Sequence, residues 1–312
     1  MPAGTHPLFE RLRDARVLLS PCRACPYDCD VDRLAGVRGK CHVGSEIVVG
    51  SVALHFGEES CLVGSRGSGC IFFSGCNLAC AFCQSHAISV ETVKPAQPGE
   101  PIVRGQAVTI ERLVQLALSF QSRCAATLNL ISPTHYGPQV VELLMAAREA
   151  GLTIPVVYNC GGYEALPMLR LLDGLVDIYL PDIKTLDAEV ARAIIGPADY
   201  PQRVREAVVE MHRQVGDLTI GPDGLATRGL LVRHLVMPND TSTTRAVLDF
   251  VGSVSANSAV NVMDQYRPAF RAFDIASIAR KTSTAEIAAA REYARALGLR
   301  LVEGGGRESH RG

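Results

Sequence analysis

From about residue 70 onward, short and nearly continuous apolar runs alternate with segments of helical periodicity, and this alternation limits the fold more than any other feature. The runs are CIFFSG (70–75), AATLNLIS (125–132), TIPVVYN (153–159), LVDIYL (175–180), GLLVRHLVM (229–237) and AVNVMDQY (259–266). Between and after them lie TIERLVQLALSF, GPQVVELLMAAREAG, YEALPMLRLLDG, DAEVARAI, YPQRVREAVVEMHRQVG, TTRAVLDFVGSV and TAEIAAAREYARALG, which carry apolar residues at helical spacing. The third of these reads as a short helix interrupted at Pro167. Six strands separated by helices predict a parallel sheet, because parallel neighbours need crossover connections. Apolar runs without alternation fit strands covered on both faces. The expectation is an α/β fold, a partial (β/α)6 TIM-type barrel, with a doubly wound sheet as the competing arrangement. In a barrel, chemistry sits on the loops that follow the C-terminal ends of the strands.

The first sixty residues are loop-rich and hold one of two cysteine clusters. The expected organisation is a cysteine-rich metal-binding module at 1–60, a barrel at 61–302 and a disordered tail at 303–312 (EGGGRESHRG). A Pro- and Gly-rich connection, VKPAQPGEPIVRG, separates the first apolar run from the first barrel helix.

Eleven cysteines in 312 residues are an odd number, and no secretory signal precedes them. Thiols in such a chain point to metal rather than to disulfides, in a reducing, cytoplasmic setting. Net charge is −1 without a basic stripe or polybasic run, which argues against nucleic-acid and membrane-surface partners. No apolar stretch reaches the ~20 residues that a membrane span needs.

Directly after the first apolar run, Cys76, Cys80 and Cys83 form a C-x3-C-x2-C array. Thiolates are soft ligands that suit zinc and iron–sulfur clusters. Three thiolates on a [4Fe–4S] cube leave one iron without a protein ligand, where a small molecule can bind. Structural zinc needs a fourth donor, and His86 stands three residues past Cys83. Nearer the N-terminus, Cys22, Cys25, Cys29 and Cys41 are spaced C-x2-C-x3-C-x11-C, enough for a closed tetrahedral site holding zinc or a second [4Fe–4S] cluster. Cys61, Cys70, Cys124 and Cys160 read as small buried apolar residues.

The array, with Phe82 before its last cysteine, resembles the signature of the radical S-adenosylmethionine (SAM) superfamily. The wording GSGCIFFSGCNLACAFCQ, NLISPTHYGPQV, IPVVYNCGGYE, LVDIYLPDIKTLD, VRHLVMPND and NVMDQYRP is similar, in order and over most of the chain, to pyruvate formate-lyase activating enzyme-like proteins. The resemblance implies that Cys76, Cys80 and Cys83 ligate a [4Fe–4S] cluster whose fourth iron is chelated by S-adenosyl-L-methionine. It implies reductive cleavage of SAM to a 5′-deoxyadenosyl radical that abstracts hydrogen from a substrate. An electron donor such as flavodoxin or ferredoxin, and a protein or peptide as substrate, belong to the same implication.

By the same resemblance, SAM contacts fall on Ser132 and Thr134, where relatives carry a Gly-Gly-Glu-like stretch, and on Asn159, Asp182, Lys184 and Arg233. The carboxylate of that stretch is missing here. Asp182 and Lys184 also read as a plain ion pair at a strand end, and Arg233 as a cap on a barrel layer. Gln265 and Tyr266 could face substrate or pack, and His135 could donate a proton or only hydrogen-bond. The chain lacks the ferredoxin-like insert of some relatives. Two readings from other classes stand beside this one: a non-catalytic zinc or electron-carrier protein with two closed sites, and a conventional barrel enzyme using Asp182 and Lys184 for acid/base work.

Overall fold

The computed structural model describes residues 8–89 and 104–304. Most of the Pro- and Gly-rich connection, and residues 305–312 of the expected tail, lie outside the described residues.

The first half of the chain contributes α1 (Leu8–Val17), β1 (Ile47–His55), α2 (Ser60–Val63), β2 (Ser68–Phe73), α3 (His86–Ser89), β3 (Gln106–Val108), α4 (Ile110–Ser122), β4 (Thr127–Ile131) and α5 (Gly137–Glu149). There follow β5 (Val156–Cys160), α6 (Leu166–Leu172), β6 (Ile178–Pro181), α7 (Ala188–Ile194), α8 (Tyr200–Val215), β7 (Thr219–Ile220) and β8 (Ala226–Leu235). The chain closes with α9 (Thr244–Val254), β9 (Ala259–Met263), α10 (Thr284–Ala296) and β10 (Arg300–Leu301).

The six expected strands are β2, β4, β5, β6, β8 and β9, and they lie side by side, all parallel, in chain order. A doubly wound sheet reverses its strand order midway; this one does not, and its winding is that of a partial barrel. β10 extends the parallel run, while β1 and β3 add an antiparallel flap to the edge of β2 and β7 pairs with β8. The helices form one outer layer, α4 on α5, α5 on α6, α6 on α8, α8 on α9 and α9 on α10. α1 packs on α5 and α6.

Local signals explain the helix ends. The Thr109 side chain accepts the Arg112 N–H at the start of α4, and Ser283 with Glu286 closes a capping box on α10. Pro167 does not interrupt a helix as expected. It lies in the first turn of α6, where its missing N–H costs nothing. Cys124 departs from the packing expectation as well: it is exposed, with φ 60° just past α4, while Cys61, Cys70 and Cys160 are buried.

Strand alternation sorts the barrel interior from the helix layer. Val156, Tyr158 and Cys160 of β5 join the large cluster beneath the helices, whereas Val157 joins a smaller one with Ile178, Leu180, Leu231 and Ala259. Cys61 and Leu62 of α2 complete this inner cluster. Among the described residues no helix is long and apolar enough to cross a membrane.

Close approach of α4 to β2 requires glycine at residue 69, where an added Cβ would lie 2.3 Å from the Phe120 ring. Gly69→Ala therefore overpacks the sheet–helix seam, with an expected loss of about 1–3 kcal/mol in denaturant unfolding at an unchanged m-value.

Candidate functional site

The three-cysteine loop leaves β2 at the C-terminal rim of the parallel strands. Gly75 turns the chain at φ 82°, and Cys76 follows. The loop is held from several sides. The Ala79 and Ala81 N–H groups donate to the carbonyls of Ile195 (2.9 Å) and Ile194 (2.8 Å) beyond the end of α7 and at its last residue. The Asn77 side-chain amide donates to the Tyr163 carbonyl at 2.8 Å, and Phe82 packs edge-on against Tyr266 at 6.1 Å.

Cys80 is buried and Cys76 and Cys83 are half-buried. The Leu78 N–H donates to Cys76 Sγ at 3.3 Å, and Cys83 Sγ lies 3.0 Å from the Ser89 hydroxyl. Burial pushes the Cys76 thiol up to about 12, and Cys80 to about 11 even with Lys184 pulling it down. Deprotonated thiols here therefore need a cation close at hand. Three soft donors on one loop, with a backbone N–H on one sulfur and an ammonium within electrostatic range of two, fit an iron–sulfur cluster. Among the described residues, no three His, Cys, Asp or Glu side chains gather closely enough to hold a single metal ion. This holds for the array, for the array with His86, and for the N-terminal quartet. The His86 ring instead stacks on Phe270 at 5.1 Å.

Backbone hydrogen bonds continue past the strand ends and bring the expected rim residues together. The Ser132 N–H donates to the Asn159 carbonyl (2.9 Å), Asp182 to Cys160 (2.9 Å) and Ile183 to Arg233 (2.8 Å). Ser132, Asn159 and Asp182 thus stand on three neighbouring strand ends. Lys184 Nζ donates to Asp182 Oδ2 at 2.9 Å, while Asp182 Oδ1 is buried without a partner. Burial alone would strip the Lys184 charge, but Asp182, Cys80 and Tyr200 outweigh it and hold the ammonium above its ordinary pKa.

Thr134 and Arg233 each have carboxylate partners. The Thr134 hydroxyl donates to Glu164 at 2.6 Å. Arg233 donates to both Glu59 oxygens (2.6 and 2.7 Å) and to Glu58, and Asn261 joins Glu59 at 2.8 Å. Arg233 and Asn261 form a strand pair two positions nearer the rim than Leu231 and Ala259. Burial alone would raise the Glu59 pKa, but Arg233 and Asn261 hold it below the ordinary carboxylate value. Tyr266 packs, its hydroxyl on the Ile278 carbonyl at 2.6 Å, and Gln265 is exposed. Burial lowers His135 to about 3, and its Nε2 lies 2.8 Å from the Ser74 carbonyl. A carbonyl only accepts, so Nε2 carries the proton and the ring is a neutral brace, not an acid.

Two residues escaped the sequence reading. Glu164 is buried with Thr134 and the Tyr158 hydroxyl (3.2 Å) as partners. The Tyr200 hydroxyl lies 2.9 Å from both the Gly161 and Asp182 carbonyls and accepts the Lys184 N–H at 3.1 Å. The carboxylate that ends IPVVYNCGGYE is a visible signal, while Tyr200 sits in a plain helical segment with none.

Residues 70–227 match the family described as the Radical SAM superfamily. Over 291 residues the chain is 29% identical to the uncharacterized protein MJ0674 of Methanocaldococcus jannaschii, covering 92% of this chain and 78% of that protein. Among solved structures, similarity extends to HydG, a maturase of the [FeFe]-hydrogenase (12% identity, TM-score 0.46, 73% of this chain and 54% of that one). It extends also to methylornithine synthase, PylB (15% identity, TM-score 0.44, 76% of this chain and 71% of that one). The chain thus spans about half the length of HydG.

Two outcomes test the electrostatics. Arg233→Met strands two carboxylates inside the barrel and is expected to cost about 3–5 kcal/mol in urea unfolding, part of it recovered by adding Glu59→Gln. Burial raises Glu164 to about 7. A carboxyl whose folded pKa lies above its unfolded value loses stability as pH rises from the unfolded pKa through the folded one. Wild type should therefore weaken relative to Glu164→Gln between about pH 4.5 and 7, by on the order of 3 kcal/mol, read from unfolding curves across that range.

Proposed function

Because the chain belongs to the radical SAM superfamily, we propose that it is an enzyme in which Cys76, Cys80 and Cys83 hold a [4Fe–4S] cluster and the rim beside them holds S-adenosylmethionine. The observation that carries the reading is the three-thiol loop itself. It lies at the strands' C-terminal rim, where barrel chemistry gathers, and it supplies three ligands of one soft type and no fourth. When bound, the cluster supplies the electron that breaks the sulfonium–carbon bond of SAM and yields a 5′-deoxyadenosyl radical.

The chain's own residues bind and orient. The Leu78 N–H bonded to Cys76 Sγ favours the thiolate, as does the Lys184 charge facing Cys76 and Cys80. Asp182 fixes Lys184 with one carboxylate oxygen, and its other oxygen is free to accept from an ammonium such as the SAM amino group. Ser132 and Asn159, on the adjoining strand ends, offer further polar contacts. Thr134, committed to Glu164, serves by anchoring the loop, and Arg233, committed to Glu58 and Glu59, by fixing the barrel layer beneath.

Within the superfamily, the ordered motifs from NLISPTHYGPQV to NVMDQYRP favour an activating-enzyme-like member that abstracts hydrogen from a protein, a peptide or a small molecule. A cytoplasmic setting and a flavodoxin- or ferredoxin-type donor accord with that reading. Anaerobic reconstitution with iron and sulfide should give a reducible cluster, and dithionite with SAM should release methionine and 5′-deoxyadenosine. Cys76→Ala should reduce that release to background; cleavage at the wild-type rate would overturn the proposal.

A further inference from the structure

Residues 18–46, between α1 and β1, contain no helix or strand, only an isolated bridge between Leu19 and Cys22. Loops of this length inside a compact domain are uncommon unless something besides a core orders them. The core available here is small. Leu19, Ala24 and Val43 are buried, and the other buried residues are Arg33, Cys22, Cys25 and Cys41. An unpaired thiol packs only as a small hydrophobe, and all four cysteines of the loop are free of disulfides.

The backbone bends around these thiols. Asp28 and Asp30 take φ 41° and 53° on either side of Cys29, and His42 takes φ 61° directly after Cys41. A Cβ on Gly39 would lie 2.8 Å from Cys29 Sγ, so glycine lets the chain pass over that sulfur. Cys22, Cys29 and Cys41 all lie within electrostatic range of Cys25. Asp and His are among the side chains that tolerate left-handed backbone, so these three residues turn the chain sharply beside Cys29 and Cys41.

The loop also stands against the three-cysteine array. Arg33 donates to the Gly44 carbonyl (2.6 and 3.0 Å) and to the His135 carbonyl (2.6 Å), and His135 reaches the Ser74 carbonyl just before the array. A Cβ on Gly75 would lie 2.9 Å from the Cys41 carbonyl oxygen. Tyr27 packs edge-on against Tyr163 at 5.4 Å, and the Tyr163 carbonyl accepts from Asn77, the neighbour of Cys76.

We propose that Cys22, Cys25, Cys29 and Cys41 form a closed four-thiolate metal site, for zinc or an iron–sulfur centre, that staples residues 18–46 onto the loop bearing Cys76, Cys80 and Cys83. Four soft donors within one turn-rich loop supply a complete ligand set without help from outside. Metal–thiolate bonds would provide the ordering energy that three small apolar side chains do not. The thiols do not lie at single-ion distances, so a single zinc ion would require the loop to tighten around it. The proposal stands apart from SAM cleavage and survives or fails without it.

The test uses the full chain carrying Cys76→Ala, Cys80→Ala and Cys83→Ala, so that the array contributes no ligand. One arm receives zinc alone, the other iron and sulfide under anaerobic conditions, each followed by desalting. The expected result is about one centre per chain in one of the arms, protection of the quartet thiols from alkylation, and a raised melting temperature. Retention of zinc or of sulfide-bearing iron identifies the occupant. Adding Cys25→Ser, or Cys29→Ser at the half-buried position that disturbs packing least, should abolish retention and protection together. A chain that stays metal-free with reactive thiols in both arms overturns the proposal, as does metal retained undiminished by both serine variants.

Discussion

Parallel strands laid down in chain order all end at the same rim, and the placement of the candidate site follows from that constraint. Each crossover returns the chain to the opposite edge before the next strand begins. Residues separated by a hundred positions in sequence therefore arrive as lateral neighbours without any dedicated contact between them. The hydrogen bonds from Ser132 to Asn159, from Asp182 to Cys160 and from Ile183 to Arg233 carry the pairing one step beyond the strands. They convert loose loop starts into a rigid shelf, and the cysteine loop is tied to the same shelf through Asn77 and Tyr163.

The interior beneath that shelf divides by polarity. Leu62, Val157, Ile178, Leu180, Leu231 and Ala259 fill the lower layer. The layer above carries Arg233 and Asn261, with Glu58 and Glu59 reaching up from the segment before α2. A guanidinium shared by two carboxylates is costly to bury and severe to break. Its position therefore fixes α2 as the floor of the barrel more firmly than apolar packing alone would.

How much of this was legible depended on whether a feature is local. The six parallel strands and their helices were readable because burial on both faces leaves continuous apolar runs, and helix starts carry capping residues such as Thr109 and Ser283. The flap of β1 and β3 was not. Ser51, Val52 and Ala53 of β1 are exposed, and β3 joins from the far side of a long connection. Among site residues, the cysteine array declared itself by spacing. The Arg233–Glu59 pair spans 174 positions and the Thr134–Glu164 pair crosses from one strand end to the next, so neither leaves a spacing to read. The Glu164 carboxylate stands next to Thr134 in space, on the Tyr158 side of the sheet beneath the helices.

The two buried carboxyl groups near the strand ends differ in what surrounds them. A carboxylate buried among Thr134, Tyr158 and Cys160 is drawn toward its neutral form and is already hydrogen-bonded. It offers a ligand little. Asp182 differs in its partners, with one oxygen accepting from Lys184 Nζ and the other buried and unpartnered. An unsatisfied oxygen in a site of low dielectric gains more from an incoming ammonium than one already bonded does. Lys184 in turn faces the thiols of Cys76 and Cys80, so a single Asp–Lys pair presents an acceptor to one side and a positive charge to the other. The ion pair thus sets the polarity of the rim, and it leaves one buried carboxylate oxygen without a partner.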